Sequence, residues 1–131
     1  MPEISDILFY IAAGLSLIGV IAHEVLGAPK VLGPLKTSDL PDDVIWLHHF
    51  SWHVGSVATL AMISLFLIAA WQPSGFVFAA VATAMSAGFA ALGIGLAVFG
   101  NNALWRTPAP YPWTLVAIIG GAGLFLMERP L

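Results

Sequence analysis

The chain contains no cysteine. That excludes a disulfide framework, a thiolate metal site and an iron–sulfur cluster, so any metal must be held by nitrogen, oxygen or thioether ligands. Charge is the second shortage. Four basic and seven acidic side chains make up 8% of the 131 residues, leave a net charge of −3 and form no basic run. A nucleic-acid partner or a polybasic lipid anchor would need such a run, and neither is expected.

What fills the space is apolar: 60% of the residues are hydrophobic, against about 45–50% in soluble domains. A domain this small has too much surface for its volume to hide that excess, so lipid must cover it. Four apolar stretches stand out, at about 6–27, 42–71, 75–100 and 112–128. Each is near or above the roughly 20 residues that cross the hydrocarbon core, the fourth being shortest. All nine prolines fall outside these stretches or at their extreme ends, as unbroken helices require. The expected fold is an all-α integral membrane four-helix bundle, up-down-up-down, with residues 1–131 as one transmembrane domain. The opening segment, MPEISDILFYIAAGLSLIGVIAHEVLGAP, lacks the basic start of a secretory signal and is too long an apolar run for one. It reads as a retained helix.

The linkers GAPKVLGPLKTSDLPDD, WQPSG and NNALWRTPAPYP carry turn chemistry. In SDLPDD, Ser38 or Asp39 is the expected helix cap, Pro41 suits the first turn, and Asp42 and Asp43 complement the positive end of the dipole. Trp46, Trp71, Trp105, Tyr111 and Trp113 lie near predicted ends, where amphipathic rings favour the headgroup layer, while Trp52 is deeper. In the third stretch Thr83, Ala87, Ala91 and Gly95 recur every four residues and predict a close-packing ridge on the most tightly packed helix. Lys30, Lys36 and Arg106 fall in the first and third loops against Arg129 on the other side, so the positive-inside rule favours cytoplasmic placement of those loops.

The ionisable residues within the apolar stretches gather in one region: His23 and Glu24 near the end of the first, and His48, His49 and His53 early in the second. A helical hairpin brings these to one depth. His49 and His53, at i and i+4, share a face and together offer two imidazole nitrogens to one ion. His23 is the natural third ligand, because Ser16 and Gly19 precede it on a small-residue stripe that should face a neighbouring helix, and Glu24, Asn101, Asn102 or water could complete the shell. Imidazole suits zinc, copper and iron alike. The same cluster admits a b-type haem with His23 and His53 as axial ligands, or a quinone, with Trp52 and Phe50 as an aromatic wall. Against these stands a structural reading in which interfacial histidines merely hydrogen-bond carbonyls, headgroups or water. His48, roughly 100° around the helix from His49, fits that role. Glu24 has three roles open to it: ligand, partner orienting His23, or headgroup-level carboxylate. Asn101, Asn102, Trp105 and Arg106 are either a roof over the cluster or an ordinary polar loop.

No acidic residue lies in mid-membrane, which argues against a proton-coupled multidrug exporter, and four histidines are too few for a membrane di-iron enzyme. The segments HEVLGAP, DLPDD and LHHFSWH, with an aromatic and proline-containing late loop, resemble a pattern of uncharacterised small four-helix membrane proteins of bacteria. That resemblance implies fold and inner-membrane location and brings no activity with it. The leading expectation is a transition-metal site formed by His23, His49, His53 and Glu24, serving metal handling or redox-type chemistry. Any catalysis would use a metal-bound water or oxygen species under the first and third loops. The alternatives are a non-catalytic accessory subunit of a larger respiratory or photosynthetic complex, and the haem- or quinone-binding bundle. Lipid is the expected surrounding, and a larger complex or a homo-oligomer the expected assembly.

Overall fold

The computed structural model describes residues 3–127, which are helical with no strand among them. The first helical run, Ile4–Leu35, consists of α1 (Ile4–Ala22), a π-helical turn at His23–Gly27 and α2 (Ala28–Leu35). Then come α3 (Asp42–Trp71), α4 (Phe76–Gly95) continued by a second π turn at Leu96–Gly100, a 3₁₀ turn at Asn102–Arg106, and α5 (Pro112–Leu126). The runs Ile4–Leu35, Asp42–Trp71 and Phe76–Gly100 are long and apolar enough to cross a membrane, and α5 is shorter.

The first run goes beyond the expected border at 27, through Pro29 and Pro34. Proline removes a ladder hydrogen bond and crowds the preceding turn. Here the π turn has already interrupted the ladder, with the Ala28 N–H reaching back to the His23 carbonyl, so Pro29 falls in the first turn of a new segment. Pro34 falls in the last turn, where Thr37 and Ser38 hydroxyls donate to the Pro34 and Leu35 carbonyls at 3.2 and 2.7 Å. Ser38 therefore closes α2 rather than opening α3. The residue preceding α3 is Pro41, and Asp42 and Asp43 occupy its first turn.

The principal packing partners run in a cycle: α1 against α3 and α5, and α4 against α3 and α5. At the centre Phe9 of α1 and Phe66 of α3 stack with centroids 6.2 Å apart, surrounded by Met62, Val116 and Ala82. Glycines on α5 make room for those rings. A Cβ at Gly120 would stand 3.1 Å from Phe66 and one at Gly123 would stand 2.5 Å from Phe9. On α4 the buried stripe is Ala79, Ala82, Ser86, Ala90 and Gly93, not the predicted ridge, for Ala87 and Ala91 are exposed. Both sets are small, so residue size alone did not choose the face. Less of α4 is buried than of α1 or α3. The outward faces carry Ile18, Val57, Val77, Phe99 and Phe125.

Candidate functional site

Each π turn closes its hydrogen bonds one residue further back than an α-helix does, which shifts the faces that follow, and such turns recur at functional sites. Both turns here border one cavity. It has a volume of about 220 Å³ and is lined by Val20 and His23 from the first run, Gly55 and Thr59 from α3, Phe89, Leu92, Gly93 and Leu96 from the fourth helix and its π turn, Leu104 and Ala109 from the loop, and Trp113 at the start of α5. All four helical runs contribute. Its roof is apolar: Leu104 and Ala109 line it, while Asn101, Asn102, Trp105 and Arg106 are exposed. The 3₁₀ turn that carries Leu104 is tied down locally. Asn101 Oδ1 accepts from the Ala103 N–H at 2.9 Å, and the Tyr111 hydroxyl donates to the Trp105 carbonyl at 2.8 Å.

His23 is the ionisable residue on the cavity wall. Its ring lies flat against Trp52, centroids 3.8 Å apart and planes 9° from parallel, with Nε2 3.4 Å from the Trp52 carbonyl oxygen. The other edge of Trp52 packs on Gly27, one turn after His23, where an added Cβ would stand 3.0 Å from the indole. Trp52 is thus wedged along the π turn and fixes the plane of His23. The expected aromatic wall is different from the observed one. Phe50 faces outward, and Phe89 and Trp113, 5.4 Å apart, take its place. Trp113 therefore turns toward the cavity.

Beside the cavity the first run and α3 are joined by a polar contact. Glu24 Oε1 accepts from Ser56 Oγ and lies 3.1 Å from His53 Nδ1. Ser56 is buried, whereas the His53 side chain is 54% exposed. The serine was missed as a partner from sequence, although its i+3 position after His53 puts both on one helix face.

Of the four expected metal ligands, the structure joins Glu24 and His53. The His49 ring is 6.5 Å from that of His53 and lies against Trp46, and its Nε2 is buried without a hydrogen-bond partner. His23 is turned to Trp52. Among the described residues no three histidine, aspartate or glutamate side chains converge in an arrangement that could hold a metal ion. His53 is not among the residues that line the cavity beside His23. His48 is exposed and sits 2.8 Å from the Val44 carbonyl of its own helix, the structural role open to it. No family model, curated protein or solved structure matches this chain.

Proposed function

We infer that the protein is an integral membrane four-helix bundle, up-down-up-down, that binds a small, largely apolar, membrane-soluble ligand of the quinone class in the cavity beside His23. The observation that carries this reading is the cavity itself: about 220 Å³, apolar apart from His23, Thr59 and the indole N–H of Trp113, and walled by Phe89 and Trp113. A void of about 150 Å³ suffices for benzene, so a substituted six-membered ring fits. Drug-sized ligands and macrocycles need more, with pockets of about 300–1,000 Å³. An apolar lining with few polar groups is the usual composition of such a site.

The membrane reading is supported by three long apolar runs and by the bulky apolar side chains on the outward faces. The positive-inside rule favours cytoplasmic placement of the first and third loops, the third of which supplies Leu104 and Ala109 to the cavity.

The test is to purify the untagged protein in mild detergent and search an organic extract for a small aromatic compound in near-stoichiometric amount. Gly55 provides the control, because it lines the cavity and a Cβ there meets nothing within 4 Å. Gly55→Leu should fill the space, keep the fold and lose the compound. Equal amounts from both proteins would remove the cavity as its site.

A transition metal remains a second reading, favoured by the contact between Glu24 Oε1 and His53 Nδ1. Their separation of 3.1 Å is close to the spacing that two ligands about 2.0–2.1 Å from one ion adopt. Metal analysis of the untagged protein and of the His49→Ala/His53→Ala double variant decides it, with undiminished metal in the variant rejecting these ligands.

A further inference from the structure

The walls of the cavity are closed to different degrees. Toward α1 it ends on Val20, which is buried, and toward α5 on Trp113, which packs against Phe89. Toward the loop the backbone is seated on the fourth helix, for a Cβ on Gly93 would stand 3.1 Å from the Ala109 carbonyl oxygen and 3.2 Å from Pro110 Cα. The seam between α3 and α4 is different. At the far end of the bundle these helices touch, with Ala69 against Gly75. Gly55 lies on the same face of α3 as Met62 and Ala69, seven and fourteen residues before them. There the helices have parted: Gly55 is half-buried, and a Cβ on it meets nothing within 4 Å. Across the gap Leu92 and Leu96, one turn apart, line the cavity and are also 60% and 49% exposed. Side chains that touch both a cavity and the surroundings mark its mouth.

The depth of this mouth follows from the helices. Gly55 precedes Trp71, the last residue of α3, by 16 positions, and Leu92 follows Phe76, the first of α4, by 16. At about 1.5 Å per residue both stand about 24 Å from that end of the bundle, where the exposed Trp71 suits a headgroup layer. A hydrocarbon core of about 30 Å therefore still surrounds them. A substituent that leaves the ring here enters acyl chains, where a charged or hydrogen-bonding group is costly and a hydrocarbon chain is at home. Building on the ligand-binding reading above, we propose that the cavity takes the ring of a long-chain, membrane-anchored quinone whose hydrocarbon tail passes between α3 and α4, by Gly55, Leu92 and Leu96, into the bilayer. The space of about 220 Å³ holds the ring but not the tail, and the lateral mouth lets one molecule have both.

The test is photolabelling of the full chain in phosphatidylcholine nanodiscs with a trimethylbenzoquinone whose undecyl tail carries a diazirine at its fourth carbon. The chain has no cysteine to add to the quinone in the dark. Tetramethylbenzoquinone, the same ring without the tail, is the competitor, and labelled peptides are mapped by mass spectrometry. The expected result is label in α3 around Gly55 and in the fourth run around Leu92 and Leu96, removed by the competitor and lost in Gly55→Leu, which fills the mouth. Random label along every lipid-facing helix, undiminished by the competitor, overturns this proposal and the ligand-binding reading together, as does absence of label. Label that the competitor removes but that maps to the loop from Asn101 to Tyr111, or to α1 or α5, overturns the lateral passage alone and leaves the cavity as a binding site. Competed label at Gly55, Leu92 and Leu96 that persists in Gly55→Leu also overturns the passage, since the tail would then not run past that residue.

Discussion

Glu24 lies in the interior of a long apolar run, whereas Asp6, Asp42 and Asp43 sit in first turns, and one Glu24 oxygen serves both Ser56 and His53. Removing the carboxylate leaves the buried Ser56 hydroxyl without that acceptor, so Glu24→Ala should destabilise by about 1–2 kcal/mol, more than Glu24→Gln, whose amide oxygen can still accept. Thermal unfolding in one detergent checks the order, and equal losses would mean that the carboxylate interacts only as a charge. Gly27 makes a second residue-scale demand. A methyl group there presses on the Trp52 indole at 3.0 Å, so Gly27→Ala should displace the ring from His23 and cost about 1–3 kcal/mol, seen as a lower melting temperature and an altered near-ultraviolet circular dichroism spectrum. An unchanged aromatic spectrum would show that the wedge yields without effect. His23, Glu24 and His53 could be singled out in the sequence because ionisable side chains in apolar helices are costly and rare. Which of them touch was not legible, since that depends on helix rotation, and the π turn at His23–Gly27 resets the rotation midway through the cluster.

At the scale of the element, α5 holds the bundle together through the absence of side chains. Gly120 sits under Thr83 and Phe66, and Gly123 under Phe9, so one short helix contacts the three longer runs at close range. Alanine at either position overpacks a filled site. Each should destabilise by about 1–3 kcal/mol, whereas Gly121→Ala, where a Cβ meets nothing within 4 Å, should be neutral or better because alanine favours the helix. Unfolding curves of the three variants give the comparison, and equal behaviour would contradict the packing described. The borders of α3 at 42 and 71 could be read in advance from Pro41, the paired aspartates and the polar turn after Trp71. The length of the first run could not, because Pro29 and Pro34 read as stop signals until a π turn and a helix end absorb them. The buried stripe of α4 could not either, since alanine, glycine and serine occur all around that helix and offer no contrast between faces.

For the whole molecule, the outward apolar surface distinguishes a bilayer from water as the surroundings. Val57 stands midway along α3 and is 67% exposed. In water, Val57→Arg would be almost without consequence. In a bilayer it should disfavour insertion by about 3 kcal/mol, while Leu47→Arg, equally outward but near the start of α3, should be tolerated because the charge can reach the headgroups. The fraction of each variant resisting alkaline extraction from membranes is the measurement, and equal retention would speak against a spanning α3.

The all-helical class and the approximate place of the long runs were determined by sequence, because hydropathy and proline position act along the chain itself. Tertiary structure decided which pairs met: Glu24 with His53 and Ser56, His23 with Trp52, Phe9 with Phe66. It also decided that a cavity opens between four runs, with Trp113 inside and Phe50 outside. These outcomes depend on the rotation and approach of helices, set by small differences in side-chain volume and by two π turns, and an apolar sequence of nearly uniform composition carries little information about either.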